Sequence, residues 1–225
     1  ALSPIPEILA ELRAGRMVIL VDDERRENEG DFVIAAEHAT PEAVNFMTRV
    51  GAGYLCVAMT GADCDRLDLK AQTAVNSSVW GTPFTVSVDG HPKHDVGTGV
   101  SASDRATTIR LLADPGSTLD DFVRPGHINP LRARDGGVLV RTGQTEGSVD
   151  LCRLAGLRPA AAIIEIVLPD GEMARMPDLE RIAAEHELKI CSVEQVIAHR
   201  LSVEGLVHRL EPASGTEVEL PEGRF

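Results

Sequence analysis

Two apolar runs, Met17-Val-Ile-Leu-Val21 and Phe32-Val-Ile-Ala-Ala36, are joined by Asp22-Asp-Glu-Arg-Arg-Glu-Asn-Glu-Gly-Asp31, which packs six carboxylates and two arginines into one strand-to-strand turn. Any fold that pairs these strands must tolerate that charge at its edge. Carboxylates this dense repel one another and rise in pKa, and the usual compensation is a divalent cation, a phosphate held by the arginines, or both. A solvated acidic loop is the plain alternative, and the rest of the chain weighs against it.

At 225 residues the chain is long enough for one sizeable core, and no Pro/Gly/Ser-rich linker divides its middle. We read one domain over residues 1–200 and a tail over 201–225. The net charge of -13, with no basic stripe, excludes nucleic acid as a partner. A small anionic substrate stays open, because a few arginines can focus the local field. Cys56, Cys64, Cys152 and Cys191 lack CxxC spacing and read as free thiols in a reducing compartment, with no zinc site. No stretch has the length of a membrane span and no charged-then-apolar leader is visible, so no membrane partner is expected and the expected location is the cytoplasm.

The pattern predicts a helix over residues 4–14, then, beyond the acidic turn, a second helix that Thr40 caps and Gly51 ends. Strands are predicted at 54–59 and 84–88, followed by a mobile loop at 91–99. A strand at 138–140, a helix at 145–155 and a strand at 161–168 suggest some parallel pairing. A helix at 177–187, a short strand at 189–191, and a helix opened by the Ser192/Gln195 capping box complete the order.

Three further segments carry chemistry. Arg124-Pro-Gly-His127-Ile-Asn-Pro-Leu131 reads as a rigid turn whose histidine can move protons, although a lone loop histidine is more often structural. Gly143-Gln144-Thr145-Glu146-Gly147 sits between a predicted strand and helix, where backbone amides can receive a phosphate, with Arg141 beside it; an ordinary Thr145 cap is the bland reading. In Ala160-Ala-Ala-Ile-Ile-Glu165-Ile-Val-Leu168 one carboxylate interrupts an apolar strand, and burial there would raise its pKa towards general acid-base use. Together these groups suit enolisation and rearrangement of a sugar phosphate.

These segments, in this order, resemble the 3,4-dihydroxy-2-butanone 4-phosphate synthase family of riboflavin biosynthesis. The likeness covers about residues 5–200 and rests on the Asp22–Asp31 turn, Gly97-Thr-Gly-Val-Ser-Ala-Ser-Asp-Arg-Ala-Thr-Thr108, Arg124-Pro-Gly-His127, Asp135-Gly-Gly-Val-Leu139, and Thr145-Glu with Val149-Asp-Leu151. It implies an α+β fold, a single compact domain whose mixed sheet has flanking helices. It also implies a homodimer with active sites near the interface, Mg2+ or Mn2+, and conversion of ribulose 5-phosphate to a four-carbon ketone phosphate and formate. By position, Glu27 and Gln144 stand at the metal ligands. Arg26, Asp31, Thr98, Arg141 and Thr145 match substrate contacts, His127 and Glu165 the proton-transfer groups, and Asp22 and Cys56 line the implied pocket. The segment around Asp104 and Arg105 is implied to lie near it.

One departure stands out. Where the family has Gly-His-Thr-Glu, this chain has Gly143-Gln144-Thr145-Glu146, so a neutral amide replaces an imidazole ligand. Alternative readings are a homologue that stops at enolisation or dehydration, or a non-catalytic dimerisation or regulatory domain. Residues 199–225 resemble the connector into a GTP cyclohydrolase II domain, a possible partner in a full-length protein.

Overall fold

The computed structural model describes residues 2–205 and the backbone of 219–220 and 223–224. In chain order the elements are α1 (Ile5–Arg13), β1 (Val18–Val21), β2 (Gly30–Ala35), α2 (Pro41–Phe46), β3 (Cys56–Met59), α3 (Gly61–Arg66) and β4 (Val88–Gly90). There follow α4 (Ala102–Ala113), β5 (Phe122–Arg132), α5 (Gln144–Leu154), β6 (Ala160–Glu165), α6 (Met176–Glu185), β7 (Lys189–Ser192) and α7 (Val193–Val203). The expected strand-turn-strand is present: β1 and β2 pair antiparallel, Val21 opposite Gly30.

Seven strands form one mixed sheet in the order β4-β5-β3-β6-β2-β1-β7. Its apolar runs are continuous because both faces are covered. Val18, Leu20, Val33 and Ile163 pack on one face against Ile8 and Leu12 of α1, Leu151 of α5 and Val196 of α7. Ile19, Phe32, Ile34 and Ile164 point the other way, towards Val44 of α2, Ile109 and Leu112 of α4, and Leu179 and Ile182 of α6. Each such fully buried aliphatic side chain contributes roughly 1.5–3 kcal/mol of transfer free energy. The predicted caps hold: the Thr40 Oγ1 accepts from the Ala43 N–H at 3.2 Å, and Ser192 and Gln195 bond reciprocally.

Four expectations change in detail. Residues 137–139 form a single 3-10 turn rather than a strand, because the Val138 N–H donates to the Asp150 carboxylate at 2.9 Å and is drawn against α5. The strand before α5 is therefore β5, and the parallel pairs are β3–β5 and β1–β7, while β6 is antiparallel to both its neighbours. The 84–88 strand is reduced to isolated bridges at Phe84 and Thr85, with β4 beginning at Val88. The Arg124–Leu131 turn is a bulge within β5. Val88 pairs with Ile128 but Asp89 with Val123, so residues 124–127 bow out of register. The prolines hold the residues before them extended, which stiffens a strand as well as a turn. Gly126 is required there, since a Cβ would lie 2.0 Å from the backbone carbon of Val88.

The 91–99 loop is tied down rather than loose. Asp104 accepts the Gly97 and Gly99 N–H groups at 3.1 and 3.0 Å, and His94 and Lys93 both reach Asp121 at 2.8 Å. No helix among the described residues is long and apolar enough to cross a membrane. Much of the 201–225 tail lies outside the described residues; Glu219–Leu220 and Gly223–Arg224 pair as a short antiparallel ribbon.

Candidate active site

The acidic turn is organised by its first carboxylate. Asp22 is buried, and its oxygens accept the N–H groups of Glu27 and Glu29, both at 2.9 Å, which folds the turn back over the end of the sheet. The same carboxylate holds Arg26 through Nη1 at 2.8 Å. Nη1 also lies 2.9 Å from Glu27 Oε2 and donates to Gln144 Oε1 at 2.9 Å, so oxygens from two distant segments converge on one point.

Beside this junction is a cavity of about 150 Å³. Arg26, Glu27, Asp31, Cys56, Arg141, Gln144, Thr145 and Glu165 all line it, together with Glu29 and Tyr54. Asp22 stands behind Arg26 instead of on the wall. Asp31 and Glu165 face each other across the β2–β6 ladder. Asp31 is pushed well above the usual carboxylate range, first by burial and then by the negative charge of Glu165, Glu27, Glu29 and Asp22. Glu29 is raised as well, by burial and then by Glu27 and Glu165. Burial, with Glu165 and Asp31 adding to it, drives the Cys56 thiol far up, which leaves it protonated and unsuited to act as a nucleophile. Glu165 Oε2 accepts the Tyr54 N–H at 2.7 Å.

Positive groups meet this charge from one side. Gln144 and Thr145 open α5, whose first amides lack helical partners. Gly143 precedes them, and a Cβ there would sit 2.4 Å from Arg141 Nη1 and 3.0 Å from Arg26 Nη2. Both guanidinium groups therefore crowd the same helix start. Arg141 is anchored by the fully buried Glu146, which takes Nη1 at 2.6 Å and the Arg134 N–H at 3.0 Å.

Among the described residues no three His, Cys, Asp or Glu side chains are grouped to hold a metal. The donor set nevertheless fits an oxygen-preferring divalent ion. Glu27 and Gln144 offer a carboxylate and an amide oxygen that already converge at 2.9 Å on one cationic nitrogen, and the raised Asp31 and Glu29 mark negative charge still to be neutralised. Magnesium commonly takes one or two protein oxygens and keeps water or substrate oxygens for the rest.

His127 and Thr98 are not on this wall. His127 is exposed on the β5 bulge, where Nδ1 donates to Asp89 Oδ2 at 2.7 Å and the backbone N–H to Oδ1 at 2.8 Å. Its Nε2 is thereby turned outward. Thr98 is exposed in the neighbouring loop that Asp104 pins. Asp89 escaped the sequence reading, although an acid inside Val86-Ser-Val-Asp89 is the same kind of signal as Glu165 in its strand. Tyr54 also escaped it; its hydroxyl bonds Asn129 Oδ1 at 2.9 Å.

Comparison with known proteins identifies the family and the fold. Residues 6–199 match the 3,4-dihydroxy-2-butanone 4-phosphate synthase family. The chain is 53% identical over 209 residues to the riboflavin biosynthesis protein RibBA of Aquifex aeolicus, covering 93% of this chain and 52% of that protein. It is 55% identical over 214 residues to RibBA of Mycobacteroides abscessus, covering 94% and 51%. The chain thus spans about half the length of the curated relatives it matches. RibBX from A. baumannii, a two-domain 3,4-dihydroxy-2-butanone 4-phosphate synthase, superposes with a TM-score of 0.91 at 42% identity, covering 99% of this chain and 64% of that one. A 3,4-dihydroxy-2-butanone 4-phosphate synthase in complex with two magnesium ions superposes with a TM-score of 0.86 at 41% identity, covering 91% of this chain and all of that one.

Proposed function

Because the chain belongs to the 3,4-dihydroxy-2-butanone 4-phosphate synthase family, a family of lyases in riboflavin biosynthesis, we propose that it converts ribulose 5-phosphate to 3,4-dihydroxy-2-butanone 4-phosphate and formate. The observation that carries this reading is the convergence of Arg26, Arg141 and the start of α5 on a cavity whose other wall holds Asp31 and Glu165.

The phosphate end is taken by Arg26, Arg141 and the free amides at Gln144 and Thr145, which suit an anion by charge and by direction. Asp31, held well above the usual carboxylate range by burial and by the carboxylates around it, is the proton donor. Glu165, held by the Tyr54 N–H, is the group that withdraws and returns protons. Cys56 and Thr145 shape the wall against which the sugar lies. Glu27 and Gln144 are the residues that would hold the divalent ion, Mg2+ or Mn2+, which would supply Lewis acidity for enolisation. An amide oxygen keeps its ligand character across the pH range in which an imidazole would titrate.

His127 takes part from a second copy of the chain. It is exposed and absent from its own chain's cavity wall, and Asp89 turns its Nε2 away from the β4–β5 backbone, so a homodimer that sets this edge against the neighbouring cavity completes the proton-transfer set. Thr98 travels with it. Residues 201–225 are read as the connector to a further domain, and the four unpaired, buried thiols support work in the cytoplasm.

The test is turnover of ribulose 5-phosphate at saturating magnesium, with formate and phosphorylated products read by NMR, on this chain beside Gln144→His. Formate from this chain supports the synthase reading. Absence of any turnover overturns it, and a different phosphorylated product identifies a truncated reaction.

A further inference from the structure

Trp80 is the one tryptophan of the chain and sits in a turn at the end of a stretch, residues 71–80, that is exposed throughout. Two residues on, Thr82 returns to the cavity wall. The indole nevertheless has a defined place: Arg26 Cζ lies 5.6 Å from the ring centroid, and the Trp80 carbonyl accepts from Arg141 Nη2 at 3.2 Å. One residue therefore touches both arginines that face the start of α5.

Each arginine is also held through Nη1, Arg26 by Asp22, Glu27 and Gln144, and Arg141 by Glu146. A carboxylate grip consumes N–H donors, whereas a cation held over an indole is attracted by the ring's π face and needs no acceptor atom of its own. The ring thus restrains Arg26 without competing for the donors an anion needs. The carbonyl does compete at Arg141, so an anion arriving there must take over that hydrogen bond and shift the turn that carries the ring.

We propose that Trp80 is a positioning residue that presents Arg26 and Arg141 to the phosphate of the substrate and exchanges its own carbonyl for that phosphate on binding. This rests on the reading that the two arginines take the phosphate. The ring beneath Arg26 lowers the cost of ordering it, so its effect falls on affinity and not on bond rearrangement. The exposed flank of the turn, Val79 at 89% exposure, has no part in it.

The experiment is calorimetric titration of the magnesium-loaded protein with ribulose 5-phosphate and, separately, with inorganic phosphate, alongside steady-state kinetics and indole emission, for the native chain, Trp80→Ala, Trp80→Phe and Val79→Ser. Trp80→Ala should raise Kd and KM by about threefold to fivefold, the size of an exposed cation–π contact, with kcat within about twofold. Trp80→Phe should recover most of the loss, Val79→Ser should match the native chain, and native emission should shift with the calorimetric Kd. Binding to Trp80→Ala that equals or exceeds native binding overturns the proposal and leaves the phosphate site standing, as does native binding without an emission change. A fall in kcat at constant KM also overturns it, since the ring would then act on the chemistry. Failure of the native chain to bind either ligand overturns both the phosphate site and the role of Trp80.

Discussion

The cavity at the β2–β6 ladder and the His127–Asp89 pair on the β4–β5 edge are built on opposite plans. In the cavity, charge is crowded and mutually held: Arg26 and Arg141 are each gripped by carboxylates, and Asp31 faces Glu165 across a strand pair. On the edge there is one carboxylate and one imidazole, with a ring nitrogen facing away from its own chain. The first region is set by short stretches, a turn of the chain at 22–31 and a helix start at 141–146. The second needs a register shift that brings residue 89 to residue 127. The cavity can bind a ligand by itself, whereas the pair can act only on something presented to it.

The sharpest way to break this division is subunit mixing. Glu165→Gln and His127→Asn should each lower kcat by about 10²–10⁴-fold, the usual worth of a proton-transfer group. If His127 serves the neighbouring cavity, unfolding and refolding an equal mixture should restore about a quarter of the native formate release, because half the dimers are mixed and each of those has one intact site. A mixture that stays inactive would put both groups in the same chain's site. Next in size, Asp89→Asn should cost about a hundredfold in kcat with KM unchanged, as the imidazole loses the acceptor that fixes its tautomer. Unaltered kcat would mean that the ring needs no orienting partner.

A smaller effect is expected where the two guanidinium groups meet the helix. Gly143→Ala places a Cβ at 2.4 Å from Arg141 Nη1, so Arg141 must withdraw from the start of α5. A lost charge-assisted hydrogen bond to phosphate corresponds to roughly tenfold in KM, with kcat little changed. Steady-state kinetics would separate this from the Asp89 effect, which moves kcat alone.

The same contrast explains what could be read from the sequence. The acidic turn, the strand that Glu165 ends and the start of α5 are local patterns, and eight of the eleven site residues drawn from motif and resemblance do line one cavity. Asp22 was legible as an acid but not as the group that folds the turn. The bulge at 124–127 was not legible as such, since two prolines stiffen a turn and a strand alike, and only pairing with β4 decides between them. Asp89 and Trp80 act through contacts 38 residues and 54 or 61 residues away in sequence, for which neither periodicity nor capping chemistry gives a sign. The Gly136-Gly137 turn likewise follows from Asp150, thirteen residues beyond Gly137, reaching back to Val138.

The smallest expected effect concerns stability and carries a definite sign. Asp31 is raised well above its ordinary range by burial and by neighbouring carboxylates, so its folded-state pKa exceeds its unfolded one. Its protonated form is the one the fold favours; that contribution is fully present below the unfolded pKa and is lost as pH rises through the folded value. Asp31→Asn keeps the shape and removes the charge, and it should therefore leave stability unchanged near pH 4 and raise it progressively as pH climbs above that, while abolishing formate release. Denaturant unfolding of both proteins across this pH range reads the difference directly. A variant less stable than the native chain at high pH would mean that the ionised carboxylate is satisfied in the fold, and the proton-donor role given to Asp31 would fall with it. A gain that grows with pH and then shrinks when magnesium is added to the native chain would tie the strain at Asp31 to the cation held by Glu27 and Gln144, since a bound positive charge relieves the native carboxylate and has nothing to relieve in the variant.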